Sequence, residues 1–232
     1  MIEEPKKLTV SSSFHRPTPQ QVKALAKFST GNVSDALGGA STLATSISFL
    51  GHSHDLPRKA VGPALTAQNR PADILGTLAA MKFIEAGDIL VATVDGYTGC
   101  AAAGDLMMGM LKNTGAIGFI TDGPVRDYQR IAEVGVPVWC KGLNPASPHT
   151  SGPAEVGLPI NIGGQQVRTG DMIVADFDGV VIVPFERIDE TIIRCEEIIA
   201  AEQSYEAEIA AGRTVSQKAL SVLMTDEVEV LN

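Results

Sequence analysis

Charge is scarce in this sequence, and its sign is wrong for nucleic acid. Only 19% of the 232 residues are Asp, Glu, Lys or Arg, and 27 acidic against 18 basic side chains give a formal net charge of −9. With no basic stripe to neutralise phosphates, direct nucleic-acid binding is not expected. Cysteine is also sparse: Cys100, Cys140 and Cys195 are odd in number, widely spaced and set among apolar neighbours. They form neither a disulfide framework nor a zinc ribbon and read as reduced, buried thiols of a cytosolic protein. No apolar run approaches the roughly 20 residues that cross a bilayer. The opening MIEEPKKLTVSSS lacks the apolar centre of a secretion signal. A cytoplasmic protein with no membrane partner is therefore expected. A GxSxG elbow and a Walker loop are both missing, and GGAST and IGGQQ lack the flanks of a dinucleotide fingerprint. Nothing supports a methyltransferase or a dehydrogenase.

Hydrophobic residues make up 44% of the chain, enough for one sizeable core. We expect one α/β domain over residues 1–232, with residues 1–19 as a polar surface arm and residues 186–232 as a C-terminal helical region. PTPQQVKALAKF carries a helical apolar spacing, and STGNVSDALGG predicts a second helix, capped by Ser34 and stopped by Gly38 and Gly39. AVGPALTA, DILVATVD, AIGFITD and VPVWCKG read as strands; ADILGTLAAMKFI, DLMMGMLKNTG and DYQRIAEVG read as the helices between them. This alternation predicts a sheet with helices covering its faces. GDILVATVDG and GDMIVADFDG share their Gly-Asp start, a central Val-Ala and their Asp-Gly end. We read them as one turn-strand-turn solution used twice, since a solenoid would show more copies at a shorter period. From Glu186 to about Ala211 a long amphipathic helix is expected, with Ile188, Ile192, Ile193, Ile198 and Ile199 on one side and its many Glu residues as a solvated face.

The stretch TDGPVRDYQR breaks an apolar run with Asp122, Arg126, Asp127 and Arg130. If AIGFITD is a strand, GPVRD is the loop at its carboxyl end, where open α/β sheets bind ligands. Asp127 on its own would most simply cap the following helix. However, GCAAAGDLMMGML places Gly99 and Gly104 before another helix, whose first amides, from Gly104, Asp105, Leu106 and Met107, suit a carboxylate. Together the two loops offer amides and a guanidinium for an anion and a carboxylate for a hard cation. That inventory suits a small 2-oxo acid: its carboxylate on Arg126 and the amides, and Mg2+ on Asp127 with water ligands oriented by Asp105 and Asp122. The metal would stabilise an enolate as the adjacent C–C bond breaks. The His52-Ser53-His54 spacing can ligate a metal, but it sits in a loop with no matching Cys or His cluster. Tyr97, Trp139 and Met107 to Met110 read as packing residues.

GDLMMGMLKNTGAIGFITDGPVRD, followed by VPVWCKG and GDMIVADFDGVVIVP, resembles the family that contains 4-hydroxy-4-methyl-2-oxoglutarate/4-carboxy-4-hydroxy-2-oxoadipate aldolase and the regulator of ribonuclease E activity. The resemblance runs from about STGNVSDAL to the C-terminal helix. It implies a layered α/β/α sandwich resembling the swivelling phosphohistidine domain, assembled as a homotrimer or homohexamer with sites between subunits. It also implies a lyase dependent on Mg2+ or Mn2+ that cleaves 4-hydroxy-4-methyl-2-oxoglutarate-like substrates, decarboxylates oxaloacetate, or both, through a metal-bound pyruvate enolate. By the same resemblance the loop from Gly104 to Met107 and Arg126 bind substrate, Asp127 binds the metal, and Arg126 and Glu202 carry the chemistry; Asp105, as the orienter of a metal water, is the third expected catalytic residue. Glu202, reaching in from an adjacent chain, would act on a metal water that takes the substrate's hydroxyl proton. One position departs from the aldolase pattern, which places Asp or Glu three residues after the Arg-Asp pair. Arg130 stands there, and is expected to pair with Asp122 or to bind a second substrate carboxylate. Members lacking that acid include noncatalytic, protein-binding ribonuclease regulators, which is the alternative function.

Overall fold

The computed structural model describes residues 6–51 and 56–230, so His52 and His54 lie outside the described residues. In order the elements are β1 (Leu8–Val10), α1 (Pro19–Leu25), α2 (Thr30–Ala36), β2 (Ser48–Phe49), β3 (Ala60–Gln68), α3 (Leu75–Ala80), β4 (Ile89–Thr93), α4 (Asp105–Asn113), β5 (Gly118–Thr121), α5 (Tyr128–Val134), β6 (Val138–Cys140), β7 (Ala154–Val156), β8 (Ile160–Ile162), β9 (Gln165–Val167), β10 (Met172–Ala175), β11 (Val180–Val183), α6 (Ile188–Ala210) and α7 (Gln217–Leu223). The chain divides into two units, Met1–Cys195 and Glu196–Asn232, with the boundary inside α6. Among the described residues no helix is long and apolar enough to cross a membrane.

The first unit is built on β3, β4, β5 and β6, which lie side by side in chain order and run parallel. Their sequences are unbroken apolar runs rather than alternations, as strands buried on both faces require: ILVAT in β4 and GFIT in β5 are buried throughout. The sheet order is β1-β7-β3-β4-β5-β6-β2, with β10 and β11 added beside β3. On one face Leu65, Leu90, Phe119 and Val138 pack under the helical layer through Ala80, Met107, Met108, Leu111 and Ile131. On the other, Ala64, Ile89, Val91, Ile120 and Trp139 meet Ile160, Ile162 and Val167 of the β8–β9 hairpin and Ile173 and Ile182 of β10 and β11. The mixed α/β class read from the sequence holds, with strands forming much of the second cover where helices were expected.

The two similar decapeptides flank one strand. β10 pairs antiparallel with Ala60–Pro63, and β4 pairs parallel with Ala64–Gln68. Their Asp residues do the same local work: Asp88 accepts from the Glu85 amide and Asp171 from the Arg168 amide, each three residues back. Burial raises the Asp171 carboxyl above its ordinary pKa, partly offset by the amides of Arg168 and Phe185. Opposite strand directions with one shared turn fit a local solution used twice.

Three expectations are corrected at this level. The amino-terminal arm is not merely laid on the surface: β1 pairs in parallel with β7, and Arg16 reaches the buried Asp88 with both terminal nitrogens. Helix α2 is capped by Ser29 rather than Ser34. The Ser29 hydroxyl accepts from the Asn32 amide while Asn32 returns the bond, and Asp176 accepts from the Thr30 amide and hydroxyl. On α6, Ile188, Thr191 and Cys195 are buried whereas Ile193 is exposed, so the buried stripe is narrower than the isoleucine pattern suggests.

Candidate functional site

The carboxyl ends of β4, β5 and β6 face the same way, and the loops that follow them meet there. The loop after β5 is bonded to its neighbours on both sides. The Ala102 amide donates to the Pro124 carbonyl at 2.7 Å and the Arg126 amide to the Ala103 carbonyl at 3.0 Å. On the opposite side the Lys141 amide donates to Gly123, the Val125 amide to Gly142 and the Asn144 amide to Val125. Gly123 is required by contact: a Cβ there would lie 2.7 Å from the Val94 side chain. Asp122 is buried and holds the turn after β4, accepting from the Thr93 hydroxyl and the Val94 and Gly96 amides at 2.8 Å each. It is committed to structure. The expected pairing with Arg130 is overturned, and its three donors hold Asp122 to the β4 turn.

This framework fixes Arg126 and Asp127. Asp127 occupies the N-cap position of α5, yet its backbone is left-handed (φ 64, ψ 39) and its side chain makes no capping bond. The capping reading is therefore wrong for its carboxylate. A left-handed L-residue costs about 1–2 kcal/mol, and such strain persists where the surroundings over-determine it, often at functional sites. The twist turns the carboxylate back towards the preceding side chain: Asp127 Oδ2 stands 3.4 Å from Arg126 Nε, both side chains over a third exposed. Arg126 Nη1 donates to the Ser147 hydroxyl at 2.6 Å.

Gly104 closes the cradle from the loop after β4. It is the N-cap of the nine-residue α4 in an ordinary extended conformation (φ −144, ψ −177), with no side chain to cap the helix. A Cβ on Gly104 would lie 2.8 Å from Asp127 Oδ2 and 3.2 Å from Arg126 Nε. The absence of a side chain thus lets the start of α4 approach the Arg-Asp pair. The first intrahelical bond is from the Met108 amide to the Gly104 carbonyl, so the amides of the first turn are not consumed by the helix. Gly104, Asp105, Leu106, Met107 and Arg126 line one pocket of about 180 Å³, with Ile74, Leu78 and Met110 supplying apolar wall.

Asp105 differs from expectation in its partner. Its Oδ2 lies 2.8 Å from Arg130 Nε, and it is the more buried member of the pair, 15% exposed against 71%. Arg130 thus pairs with Asp105, not Asp122, and lines a neighbouring depression with Glu133 rather than the pocket of Arg126. Among the described residues no three His, Cys, Asp or Glu side chains converge as a metal site. One half-exposed carboxylate fits a hard, water-rich cation such as Mg2+, which commonly takes one or two protein carboxylates and keeps several waters; it does not fit a structural zinc. Glu202 is exposed on α6 in the second unit.

Two contributors escaped the sequence reading. Ser147, from the segment after β6, gave no signal at all. Asp73 gave a faint one, as an acid just ahead of an apolar helix. It accepts from the amides of Leu75, Ser151 and Gly152, tying the pocket-wall loop to the segment after β6. Burial alone would raise its pKa, but those amides and the nearby His149 hold the carboxyl below its ordinary value. The three cysteines are free and buried, as expected. Burial pushes the thiols of Cys140 and Cys195 up to about 11.

Residues 30–182 match the RraA-like family model, described as Aldolase/RraA. The chain is 33% identical over 178 residues to a Halalkalibacterium halodurans protein named "Putative 4-hydroxy-4-methyl-2-oxoglutarate aldolase", covering 77% of this chain and 83% of that one. It is 28% identical over 205 residues to the protein DlpA of Legionella pneumophila, covering 86% of this chain but only 33% of DlpA. Among solved structures, Streptomyces coelicolor RraAS2, described as an unusual member of the RNase ES inhibitor RraA protein family, superposes with a TM-score of 0.70 at 28% identity over 84% of this chain and 100% of its own.

Proposed function

Because the chain belongs to the RraA-like Aldolase/RraA family, we propose that it is a lyase that releases pyruvate from a small 2-oxo acid. The observation that carries this reading is the Gly104 contact, which sets the Asp127 carboxylate beside the Arg126 guanidinium at the start of α4, where Arg126 and the first turn of α4 line one pocket. The substrate carboxylate binds Arg126 and the amides of the first turn of α4. Ser147 holds the far side of the guanidinium so that it presents a fixed edge. Charge that develops on the keto oxygen as the C–C bond breaks lies beside Arg126, a contribution of about 3 kcal/mol for a donor of this kind. Asp127 would hold Mg2+ or Mn2+, with water completing the shell, and the ion would supply a Lewis acid. Retro-aldol cleavage of a 4-hydroxy-4-methyl-2-oxoglutarate-like substrate also needs an acceptor for the hydroxyl proton. Asp105 is engaged with Arg130, so we assign that role to Glu202 of an adjacent copy in a homotrimer or homohexamer, working through water. Decarboxylation of oxaloacetate needs no such acceptor, and in both reactions the enolate carbon takes a proton from water to leave as pyruvate.

The test is pyruvate release from 4-hydroxy-4-methyl-2-oxoglutarate and from oxaloacetate with Mg2+, Mn2+ or EDTA. Turnover on either that EDTA removes supports the proposal, and none on both would sink it. The Arg130–Asp105 pair favours a second reading, a noncatalytic protein that binds and regulates a ribonuclease, because it places a cation where the aldolase pattern has an acid. Co-purification with a large ribonuclease, together with no turnover, is the outcome that reading requires.

A further inference from the structure

The four charged side chains around the cradle cancel in pairs. Arg126 Nε faces Asp127 Oδ2 at 3.4 Å and Arg130 Nε faces Asp105 Oδ2 at 2.8 Å. The next carboxylate along the loop, Asp122, is buried and fully engaged by three donors. A divalent cation arriving alone therefore meets a neutral cluster, and its one available carboxylate is shared with a guanidinium. A 2-oxo acid changes that balance. Its carboxylate is a better partner for Arg126 than Asp127 is, because it can accept two parallel bonds from the guanidinium, whereas Arg126 Nε and Asp127 Oδ2 stand at a long 3.4 Å.

We propose that metal and 2-oxo acid bind this site as a coupled pair, with Arg126 exchanging Asp127 for the substrate carboxylate and so releasing Asp127 to the metal. The idea rests on the proposed lyase site. It adds that neither ligand binds well without the other, and by linkage the enhancement is equal in both directions. Left-handed Asp127 is what makes the exchange possible: its backbone places the carboxylate against the preceding side chain while leaving its outer face to solvent. Arg130 sharpens the effect by keeping Asp105 from lending the ion a second negative charge.

Mn2+ binding to the full chain, followed by the loss of the free-ion paramagnetic resonance signal, tests this with pyruvate, acetate or neither present and with protein-free controls. Pyruvate should tighten Mn2+ at least about tenfold, within the usual range of coupling between sites, and acetate should do less because it lacks the keto oxygen. In Arg126→Met the ion alone should bind no more weakly than in wild type, and the pyruvate effect should fall below about threefold. A purely structural role for Arg126 predicts the opposite, weaker Mn2+ binding in the variant. Tight Mn2+ binding to wild type with no pyruvate effect would overturn the coupling and leave the metal assignment standing. No Mn2+ binding under any condition would overturn both.

Discussion

Replacing Gly104 with alanine adds a single methyl group, and its consequences for stability and for activity can be separated on paper. The backbone at Gly104 is extended, so alanine fits without conformational strain. Ala in place of Gly at an N-cap costs a few tenths to about 1 kcal/mol, while the narrower unfolded ensemble returns about 0.4–1 kcal/mol. These nearly cancel, and a residual of about 1 kcal/mol would move the melting temperature of a chain this size by only about 2–4 °C. The new Cβ, however, would sit 2.8 Å from Asp127 Oδ2 and 3.2 and 3.3 Å from Arg126 Nε and Cγ. These atoms belong to side chains, so the fold yields by displacing Arg126 and Asp127, the Asp127 carboxylate by roughly 0.7–1.2 Å if ordinary contact near 3.5–4 Å is to be restored. Since a misplacement of about 1 Å in a reacting constellation can cost a hundredfold, Gly104→Ala should lower kcat/KM by about 10- to 100-fold. Differential scanning calorimetry and steady-state pyruvate release on the same preparation give the two numbers. Full activity, or a loss of activity matched by a large loss of stability, would refute the argument that Gly104 is there for the Arg-Asp pair.

Asp127→Gly should leave thermal stability level or slightly raised, because relief of a left-handed L-residue, about 1–2 kcal/mol, outweighs the roughly 0.4–1 kcal/mol that glycine costs through a wider unfolded ensemble, and should abolish metal-dependent turnover; a clearly destabilised or an active variant contradicts the strain or the metal assignment respectively. If Glu202 serves an adjacent copy, mixed oligomers of Asp127→Ala and Glu202→Ala chains should recover part of the activity that each lacks, and verified mixtures that stay dead argue against a shared site. Asp73→Asn should destabilise the protein by about 1–3 kcal/mol at pH 7, since the amide keeps one acceptor oxygen and at least one of the three donors, Leu75, Ser151 or Gly152, then faces an NH2 group. The Asp73 carboxyl is depressed on folding, so its contribution is present above its ordinary pKa of 3.8 and lost as pH falls through the lower folded value. The difference between the two proteins in urea should therefore shrink as pH is lowered towards 3 and below, and a constant difference would contradict the linkage.

The parallel centre of the sheet was readable because its strands are mainly apolar, and most plainly at β4, which lies between the Gly87-Asp88 and Asp95-Gly96 turns. What escaped was set by distant partners. Residues 8–10 look like a polar arm until Ala154–Val156 lies beside them. Ser34 looks like a cap until Asn32 closes a capping box on Ser29. At the site, residue types and spacing located Arg126, Asp127 and the start of α4, because a loop after a buried strand has few other uses for them. Pairing within the cluster was not legible. Asp122 and Asp105 are indistinguishable as letters, yet the β4 turn claims one and Arg130 the other. The left-handed conformation of Asp127 had no local signal either, since a glycine there would have announced it and an aspartate does not.

The margins of the sheet restrict how copies of this chain can associate. One margin is the three-residue β1 and the other the two-residue β2, while β11 is covered by the Thr42–Val181 bridge and by bonds from Leu43 to Val180 and from Ile182 to Ser41. Strands this short, or already occupied, offer too few free amides and carbonyls to template another chain. Among the described residues, the margins of this sheet are thereby poor templates for extension. Contacts among copies at these margins would instead rest on side chains projecting from loops and helices, which can be altered one residue at a time without disturbing the backbone ladder.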